Sequence, residues 1–256
     1  MGTRTAHAPG TPSWVDLGAP DVDRAAAFYT ALLGWEVEPA GPVEETGGYR
    51  MARLDGRAVA GIGPAQDPGP PRWTTYVTVD DADQAVATAR EAGASVLVEP
   101  MDVMAAGRMA VLADPEGAMF SIWQPGEHIG AEVVNVPGAL CWNELNTRRP
   151  ADAQAFYRRL FGWDFDAAEG YVSILRGDRS LGGMLPITDD MPSDMPAHWA
   201  SYFAVADHAA AVAAVRELGG SVHVEGMQAE GVGTFSVVAD DQGATFSLIE
   251  LEAADD

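Results

Sequence analysis

The sequence contains no lysine, a single cysteine and only five histidines, and each scarcity limits what the protein can do. With Cys141 alone, no disulfide can form within the chain, and the free thiol fits a reducing compartment. The segment Met1–Gly10 has no apolar signal core, and no apolar run approaches the roughly 18 residues that a membrane-spanning helix needs. We therefore expect a soluble cytoplasmic protein.

Positive charge is also scarce. The 256 residues include 15 basic residues, all of them arginine, against 38 acidic residues, which gives a formal net charge of -23. A protein of this charge repels a phosphate backbone and an anionic membrane surface. The composition therefore disfavours nucleic-acid and membrane partners and favours small neutral or cationic ligands.

The second half of the chain repeats the first. Near the start of each half, identical residues recur at one constant spacing as Trp14/Trp142, Leu17/Leu145, Ala25/Ala153, Phe28/Phe156, Tyr29/Tyr157, Gly34/Gly162 and Trp35/Trp163. Further on, a slightly shorter spacing relates Trp73/Trp199, Tyr76/Tyr202, Arg90/Arg216, Gly93/Gly219, Asp114/Asp240, Gly117/Gly243 and Phe120/Phe246. An internal repeat of this length indicates a duplicated domain. We predict one domain over residues 11–124, a linker over 125–138 and a second domain over 139–252.

Within each predicted domain, the pattern of strands and helices also occurs twice. Ser13–Leu17 alternates as a strand does, Asp21 can cap a helix from Val22 to Leu33, and short strand candidates follow. The same order begins again at Trp73, with a helix that ends before Gly93. The sequence therefore predicts an α+β protein of four β-α-β-β-β modules, two in each domain.

This module order, together with Ala26–Trp35, Ala155–Trp163 and Asp114–Phe120, resembles the vicinal oxygen chelate superfamily of glyoxalases, bleomycin-resistance proteins and extradiol dioxygenases. The resemblance covers nearly the whole chain, and the arginine-rich, lysine-free composition is typical of actinobacterial members. It implies two tandem glyoxalase-like half-barrel domains. In this superfamily the concave face of each half-barrel holds the ligand, often around a divalent metal ion.

The resemblance also places the metal ligands of the superfamily on particular strands, but this chain has no strong ligand there. The corresponding residues are Trp14, Gly61, Thr74 and Ser121 in the first domain and Trp142, Gly183, Ala200 and Ser247 in the second. A divalent ion needs histidine, carboxylate or similar donors that converge at roughly 2.0 to 2.3 Å. The nearest alternative donors are Asp16, Gln124, Glu144, His198 and Glu250. We expect no bound metal and no other cofactor.

Alternation along the strands assigns a set of side chains to the concave faces. This set forms the predicted ligand-binding site and consists of Trp14, Asp16, Tyr76, Trp123, Trp142, Glu144 and Tyr202. Trp73 and Trp199 are expected to add to the aromatic lining, whereas Trp35 and Trp163 follow helix-ending glycines and are expected to pack in the core. Aromatic rings at the metal positions would block an ion and offer a π face to a flat ligand.

Asp16 and Glu144 occupy equivalent positions of the two domains and are the candidate catalytic residues. A carboxyl group buried beside tryptophan has a raised pKa and can act as a general acid or base. It can equally bond a ligand amine or hydroxyl, or be satisfied by neighbouring protein groups. Neither role is decided by the sequence.

Three functional hypotheses remain open at this point. The first is a metal-free protein that binds a small apolar or aromatic molecule, in drug sequestration or in a secondary-metabolite pathway. The second is a glyoxalase-like lyase, isomerase or hydroxylase-type enzyme that uses Asp16 and Glu144 as acid and base or in a rebuilt metal site. The third is a scaffold without a pocket. A monomer or a homodimer is expected, because duplication supplies the domain pairing within one chain.

Overall fold

A computed structural model of the chain describes residues 2–66, 69–168 and 170–252. It confirms the α+β class and the order β-α-β-β-β in all four modules. Among the described residues, the one added element is a helical turn inside the first module. No helix in the described part of the chain is long and apolar enough to cross a bilayer.

The helices and strands of the first two modules run from residue 12 to residue 125. The first module consists of β1 (Pro12–Ala19), α1 (Val22–Leu33), β2 (Glu36–Pro39), α2 (Val43–Thr46), β3 (Arg50–Leu54) and β4 (Arg57–Pro64). The second consists of β5 (Arg72–Thr78), α3 (Ala82–Glu91), β6 (Ser95–Val103), β7 (Gly107–Ala113) and β8 (Met119–Pro125).

The third and fourth modules follow after a connecting segment. The third consists of β9 (Leu140–Thr147), α4 (Pro150–Phe161), β10 (Asp164–Ala168), β11 (Tyr171–Arg176) and β12 (Arg179–Pro186). The fourth consists of β13 (His198–Ala204), α5 (His208–Glu217), β14 (Ser221–Ala229), β15 (Gly233–Ala239) and β16 (Thr245–Leu251).

Helix ends follow local sequence signals. The side chain of Asp21 accepts a hydrogen bond from the backbone N–H of Arg24 at the start of α1, and α1 ends at Gly34, whose φ is 73°. Asp81 and Asp207 cap α3 and α5 in the same way. An aspartate at this position satisfies a backbone donor that has no partner within the helix, and glycine adopts the left-handed conformation that ends a helix at low cost.

The strands of each consecutive module pair form one curved sheet. The N-terminal half-barrel has the strand order β2-β3-β4-β1-β5-β8-β7-β6, and the C-terminal half-barrel has the order β10-β11-β12-β9-β13-β16-β15-β14. In the first, β1 runs parallel to β4 and antiparallel to β5, which in turn runs parallel to β8. The pairing of Thr245 with Arg72 joins the two sheets at β16 and β5.

Two hydrophobic cores lie on the helical sides of the sheets, and each core is shared between the two half-barrels. The first module packs against the fourth, so that Tyr29 and Trp35 meet Phe203 and Phe246. The second module packs against the third in the same way. Burying each of these aromatic side chains stabilises the fold by about 1.5–3 kcal/mol. The helical faces are thereby covered, which leaves the concave faces for other contacts.

The prediction that Trp73 and Trp199 line the concave faces is wrong. Both indoles lie in the shared cores, where Trp73 Nε1 donates to Tyr29 Oη at 3.1 Å and Trp199 Nε1 donates to Tyr157 Oη at 3.0 Å. Side chains that are two or four residues apart on a strand point to the same side, so Trp73 shares a face with Val77. Val77 packs in the core beneath the helices, and Trp73 therefore points to the helical side as well. Trp35 and Trp163 pack in the core as expected.

Candidate functional site

Asp16 lies on the concave face of the N-terminal half-barrel within a hydrogen-bonded group of aromatic side chains. Tyr76 Oη donates to Asp16 Oδ2 at 2.8 Å, and Tyr49 Oη donates to the same oxygen at 3.4 Å. Trp14 Nε1 donates to Tyr49 Oη at 3.1 Å. We call Trp14, Asp16, Tyr49 and Tyr76 the N-terminal cluster. Its hydrogen bonds run from the Trp14 indole through the Tyr49 hydroxyl to the Asp16 carboxyl group, to which Tyr76 also donates.

The C-terminal half-barrel contains an equivalent group. Tyr202 Oη donates to Glu144 Oε1 at 2.9 Å, and Trp142 Nε1 donates to Tyr171 Oη at 2.9 Å. Tyr171 lies beside Glu144 and acts to lower the pKa of its carboxyl group. We call Trp142, Glu144, Tyr171 and Tyr202 the C-terminal cluster. The duplication has therefore preserved a tryptophan, a carboxyl group and two tyrosines in each half.

Strand register explains most of each cluster. Trp14 and Asp16 are two residues apart on β1 and so face the same side. Tyr76 on β5 stands directly opposite Trp14, and directly opposed side chains of an antiparallel pair share a face. On the C-terminal side, Tyr202 stands opposite Trp142. These placements agree with the concave-face assignment made from alternation.

The remaining tyrosine of each cluster reaches the carboxyl group across a glycine. A Cβ placed on Gly61 would lie 1.7 Å from Tyr49 Oη, and one placed on Gly183 would lie 1.7 Å from Tyr171 Oη. Gly61 pairs with Asp16, and Gly183 pairs with Glu144. Only glycine leaves room for the phenol at this point, so the phenol hydroxyl fills the place of a side chain from β4 or β12.

Sequence reasoning did not find Tyr49 and Tyr171. Each stands where the third strand of its module begins, and each is preceded by a glycine in the sequence. Their spacing differs from the two spacings that relate the rest of the repeat, because the loops before them differ in length. In both halves a tyrosine stands at the start of the third strand, and a glycine stands in the fourth strand. This recurrence is the signal in the sequence that could have identified the two tyrosines.

Burial shifts the acid–base properties of both clusters. Desolvation raises the pKa of Asp16 from 3.8 to about 6, although the hydrogen bonds from Tyr76 and Tyr49 act in the opposite direction. Burial likewise raises the pKa of Glu144, against the opposing effects of Tyr202 and Tyr171. The pKa of Tyr171 and of Tyr202 also rises, first through burial and then through the nearby carboxylate. The phenols therefore stay protonated and act as donors.

The two clusters differ in what covers them. In the N-terminal half-barrel, the segment 126–134 crosses the concave side, and the His128 ring contacts the Trp14 ring edge to face at 4.5 Å. Trp123 Nε1 donates to the carbonyl of His128 at 2.8 Å. Trp14 is consequently only 4% exposed. His128 lies in this connecting segment, outside any helix or strand, and its ring is inserted against the cluster.

Trp142 is more exposed than Trp14. Among the described residues, no aromatic ring packs against it, whereas Tyr202 contacts the half-buried Phe235 at 5.8 Å. Phe235 stands between Met227 and Ile249 in the sheet, so these three side chains share the concave face. The C-terminal cluster thus adjoins an apolar wall that includes the exposed Met227.

The metal positions implied by the resemblance do not form a metal site. No group of three histidine, cysteine, aspartate or glutamate side chains that could hold an ion occurs in the described residues. Each cluster supplies a single carboxyl group, and the atoms around it are phenol and indole donors. A divalent cation needs several lone pairs directed at it, whereas tyrosine hydroxyls donate hydrogen bonds to the carboxyl oxygens and the indoles donate to tyrosine hydroxyls. The donor set therefore does not fit a metal ion.

The other candidate donors have structural partners. Gln124 Oε1 accepts a hydrogen bond from the backbone N–H of Ala82 at the start of α3, and Glu250 Oε2 accepts from that of His208 at the start of α5. His198 lies at the beginning of β13 and contacts the carbonyl of Pro196. Cys141 is partly buried, its Sγ contacts the carbonyl of Tyr202, and burial raises the pKa of its thiol to about 12. These residues do not join either cluster.

The cavities that lie elsewhere on the described part of the chain include the following two. One of about 240 Å³ lies at the start of α5, beside Asp207, His208 and Glu250, and one of about 360 Å³ lies beside Thr3, Arg57 and Val136. Neither is lined by a residue of the clusters. In the C-terminal cluster Trp142 is half-buried, whereas Glu144 and Tyr202 are buried.

Comparison with known proteins identifies relatives along the whole chain. The glyoxalase-like domain family model matches residues 14–123 and 142–249. A protein named as a candidate glyoxylase, CFP32 of Mycobacterium tuberculosis, is 41% identical over 260 residues, which cover 98% of each chain. The anthracycline biosynthesis protein DnrV of Streptomyces peucetius is 38% identical over 267 residues, which cover 96% of this chain and 95% of DnrV.

Solved structures show the same fold. The Mn(II)-bound glyoxalase from Novosphingobium aromaticivorans superposes with a TM-score of 0.67 at 18% sequence identity, over 98% of this chain and 84% of that one. At this identity the likeness concerns the fold alone.

Proposed function

The chain belongs to the glyoxalase-like domain family, and on that premise we propose that it is a metal-independent protein that binds a small, largely apolar or aromatic molecule on a concave face. The observation that carries the proposal is the tyrosine that crosses a glycine in each half, Tyr49 over Gly61 and Tyr171 over Gly183. Phenol hydroxyls occupy the region where the resemblance places metal ligands. What remains is an aromatic surface with one buried carboxyl group, which suits recognition of an organic ring.

The ligand class follows from charge and chemistry. A net charge of -23 disfavours anionic ligands and favours neutral or cationic ones. A ligand hydroxyl or amine can donate to the carboxyl of Asp16 or Glu144, while its ring lies against tryptophan. The relative DnrV is named for anthracycline biosynthesis, and anthracyclines are flat hydroxylated quinones. We propose a secondary metabolite of this type, held for sequestration or as assistance to its pathway.

Two measurements on the purified protein test this proposal together. Titration with alizarin, a hydroxylated anthraquinone, is expected to quench tryptophan fluorescence in a saturable way and to raise the melting temperature. Elemental analysis is expected to find far less than one transition-metal ion per chain. Unchanged fluorescence and melting temperature across a panel of planar hydroxyaromatics would favour the scaffold without a pocket. A stoichiometric metal held inside either half-barrel would also overturn the proposal.

One observation favours a second candidate function, an enzyme that transfers protons. Burial raises the pKa of Asp16 to about 6, which is close to the working range of a general acid or base. In such an enzyme Asp16 or Glu144 accepts a proton from the substrate, and a protonated tyrosine hydrogen-bonds the substrate oxygen that gains negative charge. Asp16→Asn combined with Glu144→Gln would abolish turnover and leave ligand binding measurable. If binding and any turnover persist in the double variant, the acid–base role is excluded.

A further inference from the structure

The two clusters are chemically alike but differ in what covers them. Each offers a carboxyl group with two tyrosines and an adjacent indole. The difference lies in the segment 126–134, which follows β8 and connects the half-barrels. A ligand that needs the face of an indole can use only a cluster in which that face is free.

The segment 126–134 is held on the N-terminal half-barrel by regular backbone hydrogen bonds. The N–H of Ala131 donates to the carbonyl of Ser13, and the N–H of Glu132 donates to the carbonyl of Ala58, both at 2.7 Å. The carboxylate of Glu132 accepts from the N–H of Ala58 at 2.7 Å. Val133 forms an isolated bridge with Thr3. These bonds make the segment a part of the fold.

The same segment places an aromatic ring where a ligand ring would otherwise lie. The His128 imidazole meets Trp14 at an interplanar angle of 84° and Trp123 at 68°, with ring centroids 4.5 and 5.7 Å apart. Ala131 is fully buried against the same side chains. Edge-to-face contacts at these distances are favourable for aromatic pairs. The His128 ring thus occupies the concave face of the N-terminal half-barrel.

Among the residues that the structure describes, no segment equivalent to 126–134 lies on the C-terminal half-barrel, where Trp142 is half-buried and has no ring partner like His128. In the repeat, Ile249 replaces Trp123 and Phe235 replaces Met109. The exposed Met227 continues this surface along β14, and Trp142 stays partly exposed beside it. The strand pairings place Phe235 beside Met227 on the same concave face as Trp142, and the Phe235 ring contacts Tyr202, which is hydrogen-bonded to Glu144.

We infer that the C-terminal cluster is the ligand site of this protein, that it takes a flat aromatic molecule with a hydroxyl or amine donor, and that the segment 126–134 closes the N-terminal cluster. This inference rests on the proposed function and specifies where and by which groups the ligand is held. The ring packs against Trp142 and the wall formed by Phe235 and Met227. The donor of the ligand bonds to the carboxyl of Glu144, whose neighbour Tyr202 is already hydrogen-bonded to Oε1.

The repeat offers a matched pair of variants for the test. Met227 and Met101 occupy equivalent positions on β14 and β6, and each is 49% exposed. Replacement of either by alanine removes the same atoms from a surface strand and leaves the cores untouched. Calorimetric titration of the full chain with alizarin is expected to give one site, an affinity about tenfold weaker for Met227→Ala, and an affinity within about twofold of wild type for Met101→Ala.

The Glu144→Gln variant tests the polar contact. Glutamine keeps the shape of glutamate and still accepts a hydrogen bond from Tyr202, but it loses the charge that strengthens a bond from a ligand hydroxyl. We expect about a tenfold loss of affinity for alizarin and about a twofold change or less for unsubstituted anthraquinone, which has no hydroxyl donor.

The outcomes separate the inference from the proposed function. If the wild-type protein binds neither alizarin nor any other planar hydroxyaromatic, the proposed function fails. If it binds alizarin at two sites per chain, or if Met101→Ala weakens binding as much as Met227→Ala does, the protein remains a binder and the assignment to the C-terminal cluster is overturned. Equal losses for alizarin and anthraquinone in Glu144→Gln would overturn the role given to the carboxyl group.

Discussion

Tyr171 places its hydroxyl where a side chain of Gly183 would begin, 1.7 Å from the position of a Cβ on that residue. The same relationship holds between Tyr49 and Gly61 in the other half. A phenol and a glycine have taken the space in which the resemblance places a metal ligand. In the described residues, neither carboxyl group belongs to a set of three histidine, cysteine, aspartate or glutamate side chains that could hold an ion.

The glycines are therefore required for space, and their substitution should be costly. Gly61→Ala and Gly183→Ala are each expected to lower the free energy of unfolding by about 1–3 kcal/mol, because the added methyl group displaces a half-buried, hydrogen-bonded phenol. Urea denaturation followed by circular dichroism measures this loss. Gly18→Ala on β1 is the control, since its Cβ would meet only Ala65 at 3.7 Å. A control as unstable as the two variants would contradict the argument.

A second prediction concerns the contacts between half-barrels. Tyr29 Oη accepts from Trp73 Nε1 and donates to Asp240 Oδ2, both at 3.1 Å, while backbone N–H groups of the turn after Asp240 donate to Oδ1. Tyr29→Phe leaves a buried carboxyl oxygen and an indole N–H without partners. We expect a loss of about 1–3 kcal/mol in the free energy of unfolding.

Tyr157 makes the equivalent contacts with Trp199 and Asp114 in the other core. Tyr157→Phe should therefore cost a similar amount, and guanidinium unfolding of both variants is the measurement. If neither substitution changes the midpoint, these hydrogen bonds contribute nothing to the joining of the two halves.

The raised pKa of Asp16 predicts a particular dependence of stability on pH. Because its folded pKa of about 6 exceeds its ordinary value of 3.8, the folded state binds the proton more tightly than the unfolded state. The contribution of this group to stability is therefore present at low pH and is lost as the pH rises through about 6. The difference in unfolding free energy between wild type and Asp16→Asn should shift in favour of wild type as the pH falls from about 6 to about 4. A difference that stays constant across this range would contradict the shift.

The lowered pKa of His128 predicts a dependence of stability on pH in the opposite direction. Burial lowers its pKa from 6.5 to about 4, against the attraction of Glu132 and with additional repulsion from Arg53 and His7. The unfolded state then takes up the proton first, so this group removes stability as the pH falls from about 6.5 to about 4.

His128→Phe keeps an aromatic ring against Trp14 and cannot be protonated. Its stability should exceed that of wild type by a margin that grows over the same pH interval and levels off below it. Thermal unfolding between about pH 7 and pH 4 measures the margin. A margin that does not grow would show that the imidazole is not held neutral in the folded protein.

Much of this architecture was predictable because its causes are local. The position of α1 follows from Asp21 and Gly34, and the common face of Trp14 and Asp16 follows from the two-residue period of a strand. The absence of histidine and carboxylate at the implied ligand positions is visible in the residues themselves. Tyr49 and Tyr171 were missed because their place in the cluster depends on a loop length and on a glycine in another strand.

The amino-acid sequence alone determined the duplication, the four modules, the helix ends and the common face of Trp14 and Asp16, since all of these depend on residues near one another along the chain. The tertiary structure decided which groups meet across long separations. It placed Trp73 and Trp199 in the shared cores, brought a tyrosine over a glycine in each half, and laid His128 against Trp14. Such contacts depend on the order of strands in the sheets and on the path of the connecting segment, which no local pattern of residues encodes.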